Sequence, residues 1–355
     1  MMKYKVEKAT KKDGKEMLDI IEETASKGNL QLIYTRRPDA FLSYQKEKKD
    51  TEICIIKDNK GKIAVQGSCI VNDYYINGST RSIGYVGGIR KRKGFKEKFN
   101  WVELFTKDIS KRDCDLFYCS FLALNKHALE VFQKKREVMP ELVPITKYFT
   151  YIINPKIIKF RKINSEFCFR KMEDKDKKKV VEFLNIEGCK YNFFPKVSNI
   201  EKEFPDLKIN DCYILEKDDE IISFGGLWNQ KEYKQYIVKK YGGFVKILSK
   251  IGAITECIGY IPMPKENEVL NFPTLSLFIA KDDNLEYYEY FLRCIAKEIA
   301  KKYKMFVIGI SENNKKNEIY KKLKSLKFDS LLFLVDFKGR NTKLEEDIHI
   351  ECGLL

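Results

Sequence analysis

Apolar residues gather in short runs separated by charged stretches, and the spacing inside each run predicts its element. EICIIKD (Glu52–Asp58) and KIAVQGSCIVNDYYI (Lys62–Ile76) read as strands joined by a hairpin turn at Asp58-Asn59-Lys60-Gly61. Before them, YKVEKA (Tyr4–Ala9) predicts a strand and Lys12–Lys27 a helix. Ser82–Ile89 is another apolar strand, and beyond a basic stretch Phe99, Val102, Phe105 and Ile109 recur at helical spacing. DLFYCSFLAL (Asp115–Leu124) is apolar on both faces, as a central strand is. Asn125 caps a helix expected to end near Arg136, and TKYFTYII (Thr146–Ile153) supplies a last strand.

This order, β-α-β-β-β-α-β-α-β, then recurs. Cys168–Met172 predicts a strand, Asp174–Leu184 a helix, and CYILEKDDEIISFGGLWN (Cys212–Asn229) a hairpin around Asp218-Asp219. Pro273–Ala280 is a strand, Glu286–Lys302 a long helix, and Met305–Ser311 a strand. Asn313–Leu326 is expected to be helical, Ser330–Phe337 extended, and Ile348–Leu355 a final strand returning to the sheet. The expected fold class is α/β (α+β): two domains, 1–158 and 159–355, each a mixed, mostly antiparallel sheet flanked by helices. INPKIIKFRKINSE (Ile153–Glu166) links them.

Composition narrows the function classes. A chain of 355 residues with 44% hydrophobic and 33% charged residues suits two globular domains. The net charge of +16 favours an anionic partner, although many lysines fall on solvated helix faces. No run is long enough for a membrane span and the N-terminus has no apolar signal core, so a cytoplasmic protein is expected. The ten cysteines form no C-x-x-C pair and read as reduced, mostly buried thiols, with no metal site. Two histidines, His127 and His349, exclude HExxH enzymes and make a His-based relay improbable; no P-loop or GxSxG elbow occurs.

The most unusual stretch is GYVGGIRKRKGFKEKF (Gly84–Phe99): an apolar, glycine-rich half, then six cations around the single acid Glu97. Like charges so close repel, and an anion compensates them: nucleic acid, membrane, phosphorylated cofactor, or water with counterions.

The whole layout resembles a tandem GNAT (GCN5-related N-acetyltransferase) protein of the bacterial two-domain type. GYVGGIR (Gly84–Arg90) is similar to that family's fourth strand, and LNKHALEVF (Leu124–Phe132) gives its N-x-x-A through Asn125 and Ala128. VMPELVPITKYFTYII (Val138–Ile153), GGLWNQKEYKQYIV (Gly225–Val238) and the terminal ECGLL are similar to further pieces of such proteins. The resemblance implies two GNAT-like domains, acetyl-CoA as co-substrate, no metal, and transfer of an acetyl group to a small or peptidic amine. It implies that Gly87, Gly88, Ile89 and Arg90 pair with the pantetheine arm. Lys91, Lys93, Gly94, Phe95, Lys96, Glu97, Lys98 and Phe99 would surround the diphosphate, and Asn125 would hold the far wall of the cleft.

Departures from the pattern matter. The family's phosphate loop reads Arg/Gln-x-x-Gly-x-Gly/Ala; Lys93 in the first position puts Lys96 and Lys98 where glycines belong, and Lys96, the favoured register because it puts Leu104 and Phe105 on the helix core face, puts Phe99 and Trp101 there. Lysine charge then substitutes for close backbone approach. The second domain's loop, AKDDNLE (Ala280–Glu286), carries Asp282 and Asp283, which would repel a pyrophosphate, so the first domain is the expected coenzyme site. Phe132 stands where the resemblance implies a tyrosine acid, whereas the second domain keeps Tyr320. Candidates for the base are Glu103, Glu256 and the terminal carboxylate of Leu355. Three functions remain open: an N-acyltransferase, a GNAT-like binding or regulatory protein without catalysis, and an RNA-associated basic protein. Nucleic acid is the less expected partner, and a monomer or homodimer is expected.

Overall fold

The computed structural model describes residues 4–355 except 27, 50, 97–98, 134–138, 160–165, 251–258, 338 and 340–341. In chain order, the first half contains β1 (Glu7–Lys8), α1 (Gly14–Glu22), β2 (Leu30–Thr35), α2 (Ala40–Glu47), β3 (Glu52–Lys57), β4 (Ile63–Ile76), β5 (Ser79–Lys91), α3 (Trp101–Ile109), β6 (Leu116–Leu122), α4 (Lys126–Gln133) and β7 (Glu141–Ile153). The second contains β8 (Cys168–Lys171), α5 (Lys177–Gly188), α6 (Ile200–Glu203), β9 (Cys212–Lys217), β10 (Glu220–Trp228), β11 (Gln235–Tyr241), α7 (Gly243–Lys250), β12 (Thr274–Ala280), α8 (Leu285–Lys302), β13 (Phe306–Ser311), α9 (Asn317–Lys321) and β14 (Ser325–Asp336).

Twelve strands form one sheet in the order β1-β3-β4-β5-β6-β14-β7-β13-β12-β10-β9-β8. Pairing is antiparallel except at β5–β6 and β12–β13. β14, late in the chain, lies between β6 and β7 of the first half, so the two halves share one continuous ladder. A separate two-stranded ribbon, β2–β11, ties the halves a second time and sets Tyr34 opposite Tyr236.

Helices cover both faces. In the first half, α3 buries Phe105 and Ile109 against β3–β6, and α1 with α2 buries Met17, Ile20, Ile21, Ala40 and Tyr44 on the other face of β3 and β4. In the second, α8 covers one face through Tyr288, Phe291, Leu292 and Ile295, and α5 the other through Val180, Phe183 and Leu184. Burying such stripes is what makes these amphipathic segments helical in context.

Both predicted hairpins form: Asp58 N–H donates to the Lys62 carbonyl, with Gly61 at φ +74°, and Asp218 and Asp219 take φ of 50° and 62° between β9 and β10. Three expectations are corrected. Asn313–Leu326 is helical only over Asn317–Lys321, because Ser325 and Leu326 already pair with Ile153 and Ile152 of β7. Ile348–Leu355 is not a strand: only Ile348 makes a bridge, and a 3-10 turn follows at Cys352–Leu354. β5 runs to Lys91, two residues past the predicted Ile89.

Candidate functional site

β5 is hydrogen-bonded to β4 along its length but to β6 only from Ile83 to Val86, against Leu116 to Cys119. Beyond that point the two parallel strands part, and β6 continues against β14 alone. A wedge opens between them, walled by main-chain groups of β5 that no neighbouring described strand takes up. A bulge sits where the wedge begins: Ser68 faces Gly87 but Gln66 faces Arg90, so β5 carries one extra residue. Gly88 has φ +63°, and a Cβ there would lie 2.4 Å from the Tyr44 hydroxyl oxygen. Ser68 Oγ donates to the Gly87 carbonyl at 3.2 Å. Two side chains, from α2 and β4, thus fix the bulge.

The basic loop that follows divides into two kinds of residue. Arg92 is engaged internally, 2.5 Å from Asp58 and 3.5 Å from Glu16, and the Lys93 amide donates to the Glu23 carboxylate at 2.5 Å. Phe95 and Phe99 turn inward; Phe99 stacks on Tyr4 at 4.0 Å, and both pack on the α3 core. Lys91, Lys93, Gly94 and Lys96 are exposed, beside the open end of β5. Asn100 caps α3 by accepting from the Glu103 amide, which leaves the helix N-terminus facing this loop. Glu97 and Lys98 lie outside the described residues.

On the β6 side, Asn125 is exposed and starts α4, its carbonyl accepting from the amides of Ala128 and Leu129. Phe132 contacts Trp101 and Phe121, with ring centroids at 6.2 and 5.7 Å, and bridges the two walls with carbon alone. The end of β5 and the loop after it thus hold Gly87, Gly88, Ile89, Arg90, Lys91, Lys93, Gly94 and Lys96 in succession, whereas Phe99 packs inward and Asn125 follows β6 at the start of α4.

Tyr320 is placed elsewhere. It is fully buried in the core under α8, its hydroxyl 2.5 Å from that of Tyr288 and its ring stacked on Tyr151 at 5.6 Å. Burial raises its pKa well above the ordinary value, so it holds its proton firmly. Of the candidate bases, Glu103 pairs with Lys107 and Asn100 in the first turn of α3, and Glu256 lies outside the described residues.

Leu355 ends a buried polar chain that sequence reasoning missed. Lys234 Nζ donates to the main-chain oxygens of Leu355 (2.7 Å) and Gly353 (3.0 Å) and lies 3.3 Å from Glu47 Oε1. Glu47 Oε2 takes Arg36 at 2.5 Å, and the Arg36 guanidinium lies 3.6 Å from the centroid of the Tyr44 ring, whose hydroxyl touches Gly88. Burial alone would raise the Glu47 pKa, but Arg36 and Lys234 outweigh it and lower it; burial lowers that of Lys234. The chain runs from Leu355 to the bulge. Arg36, Tyr44 and Glu47 lie close together at β2–α2, but Lys234 stands 187 residues from Glu47, so no local spacing announced the chain.

The second half contains a parallel wedge. β12 and β13 pair only at Thr274–Val307, and a bulge on β12 places Leu277 at φ 52°. The acidic loop does not face solvent unpaired: Asp283 binds Lys315, Lys316 and the Tyr191 hydroxyl, and Asp282 binds Lys190. Burial pushes Asp283 up, yet these partners outweigh it and hold it below the usual carboxylate range.

No protein-family model and no curated protein matches the sequence. Solved structures do match in shape. The chain is similar to the N-myristoyltransferase of Saccharomyces cerevisiae with bound myristoyl-CoA (TM-score 0.57, 11% identity, 99% of this chain and 88% of that one). It is similar to a GCN5-related N-acetyltransferase from Anabaena variabilis (0.54, 8% identity, 93% and 72%). A probable N-acyltransferase of unknown function from Enterococcus faecalis aligns over 95% and 74% (0.53, 9% identity). The chain has the GNAT fold in a two-domain arrangement like that of N-myristoyltransferase.

Proposed function

We propose that the protein is an N-acyltransferase that takes its acyl group from a CoA thioester, acetyl-CoA, bound in the first-half wedge, and passes it to a small or peptidic amine. The observation that carries this is the bulged end of β5 that parts from β6, with exposed lysines beside it, on a fold shared with a structure holding myristoyl-CoA. The two halves are read as tandem copies, since each has a bulged strand parting from a parallel neighbour.

The pantetheine arm would extend the sheet along Gly87–Arg90, using main-chain groups left by β6. Lys91, Lys93 and Lys96 would compensate the diphosphate. The amine nitrogen attacks the thioester carbon, the C–S bond breaks, and the amine's proton ends on the departing thiolate. An amide at the bulge would stabilise the oxyanion between those steps. Phe132 has no proton to give, so the proton travels by another route. Where Leu355 is the last residue, its carboxylate, held by Lys234, is the base that takes the proton from the amine and passes it on to the thiolate.

Calorimetric titration with acetyl-CoA tests this, beside a Lys93→Glu/Lys96→Glu variant. Binding is expected in the wild type and weakened roughly tenfold or more by the variant, since each reversed charge costs on the order of 1 kcal/mol near a phosphate. An absence of heat in the wild type overturns the proposal.

A further inference from the structure

The second-half wedge has the same backbone design as the first, a bulge with one positive-φ residue and a parallel neighbour that parts from it, yet it is occupied. Its occupant is the chain's own segment Ile348–Leu355. Leu277 N–H, at the bulge, donates to Glu351 Oε1 at 2.8 Å, in a position matching the bulge of β5. On the β13 side Ser311 Oγ donates to the Ile348 carbonyl at 3.1 Å. Tyr148 OH donates to the Ile350 carbonyl at 2.6 Å. His349 Nε2 lies 3.0 Å from the same Glu351 oxygen that Leu277 uses. Glu351 is 3% exposed, so its carboxylate depends on these partners.

Two glycines show that the fold is shaped around this segment. A Cβ on Gly309 of β13 would fall 1.9 Å from the Tyr148 hydroxyl, so only glycine lets that tyrosine cross to Ile350. A Cβ on Gly353 would fall 2.6 Å from the Trp228 ring, so only glycine lets the segment turn toward Lys234. From there the segment reaches the Glu47–Arg36–Tyr44 chain that ends at Gly88.

We infer that the second wedge has become an intramolecular receptor for residues Ile348–Leu355, with the Glu351 carboxylate as the anchoring group on the β12 bulge. Glu351 is a positioning residue: it acts through the segment it holds, setting Leu355 and Lys234 against the first-half site. The docking stands on the contacts above; the positioning role rests on the transferase reading of the first wedge.

The test uses Glu351→Ala, Glu351→Gln and Ser311→Ala in the full chain, with hydrogen exchange and acetyl-transfer kinetics read in parallel. In Glu351→Ala the Leu277 amide and amides of 348–355 should exchange about 10- to 100-fold faster, the range set by losing a hydrogen bond to a charged group. Amides of β3 and β4 should keep their wild-type rates. Glu351→Gln retains an acceptor and should lie between, and Ser311→Ala, a milder change, should speed exchange at 348–350 only. Acetyl transfer by Glu351→Ala should show kcat reduced about tenfold with KM for acetyl-CoA unchanged, as loss of positioning without loss of coenzyme binding requires. Wild-type exchange at Leu277 in Glu351→Ala overturns the docking. If Glu351→Ala loosens β3 and β4 equally, Ser311→Ala decides: exchange at 348–350 no faster than wild type overturns the docking. Faster exchange at the segment with unchanged kcat overturns the positioning role. A wild type that transfers no acetyl group overturns the transferase reading and the positioning role with it, while the exchange result still decides the docking.

Discussion

Gly88 meets two demands that any side chain would break together. Its φ of +63° is in the left-handed region, and the Tyr44 hydroxyl occupies the space a Cβ would take. Gly88→Ala should therefore lower stability by about 1–3 kcal/mol, the cost of holding a strained residue. A urea titration reads this, and acetyl-CoA affinity should fall with it because the bulge sets the end of β5. A variant with an unchanged midpoint would show that Tyr44 moves aside freely and that the bulge is not locked. Gly87→Ala is a weaker test, since its φ is not in the left-handed region and its Cβ would first meet the Tyr85 ring, at 2.8 Å. The glycines and cations of 84–99 were legible because they are contiguous and unusual. Ser68, Tyr44, Arg36, Glu47 and Lys234 were not, for each is an ordinary residue until the fold brings them into one chain.

Among the elements, β8 is short and at the sheet edge, and one arginine secures it. Arg170 binds Asp176 at 2.7 and 3.0 Å, just before α5, and Glu216 of β9 at 2.8 Å twice. Asp176 has its pKa lowered, first by Arg170 and then by the Glu173 amide, against the opposing effect of burial. The sign follows from linkage: the unfolded chain, with an Asp pKa of about 3.9, takes up the proton before the folded one does. Stability from this pairing is present above that value and is lost as pH falls through the lower folded value. Asp176→Asn should therefore destabilise at pH 6 and flatten the loss of stability between pH 5 and 2. Parallel acid-unfolding curves for both proteins would count against the assignment. Strands β3, β4, β6 and β12 were legible from their apolar runs. β2 and β11 were not predicted: their sequences, LQLIYT and QYIVKKY, are short, and β2 finds its partner only 200 residues further along the chain. The helix predicted over Asn313–Leu326 failed at its C-terminal end because pairing with β7 overrode local helical spacing.

At the scale of the molecule, the repeat visible in the sequence does not translate into two sheets. β14 is hydrogen-bonded to β6 on one side and to β7 on the other, and β7 also pairs with β13, so the strands of either half need the other half for their ladders. Residues 1–158 alone would leave β6 and β7 with main-chain groups exposed along Tyr118–Leu122 and Glu141–Ile153, and unpaired strand edges of that length aggregate or unfold. Residues 159–355 alone would leave the whole of β14 without either neighbour. The intact chain is therefore expected to unfold in one transition, with calorimetric and van't Hoff enthalpies in agreement. The two separated segments should be insoluble or unfolded, yet recover native circular dichroism when refolded together. Two resolved transitions, or a stable 1–158 segment that binds acetyl-CoA by itself, would show that the shared ladder is a contact between independent domains. The β2–β11 ribbon sharpens the expectation, because it brings Lys234 from the second half onto Glu47 from the first, and through Tyr44 onto the bulge. A site assembled from both halves in this way loses its geometry if they come apart.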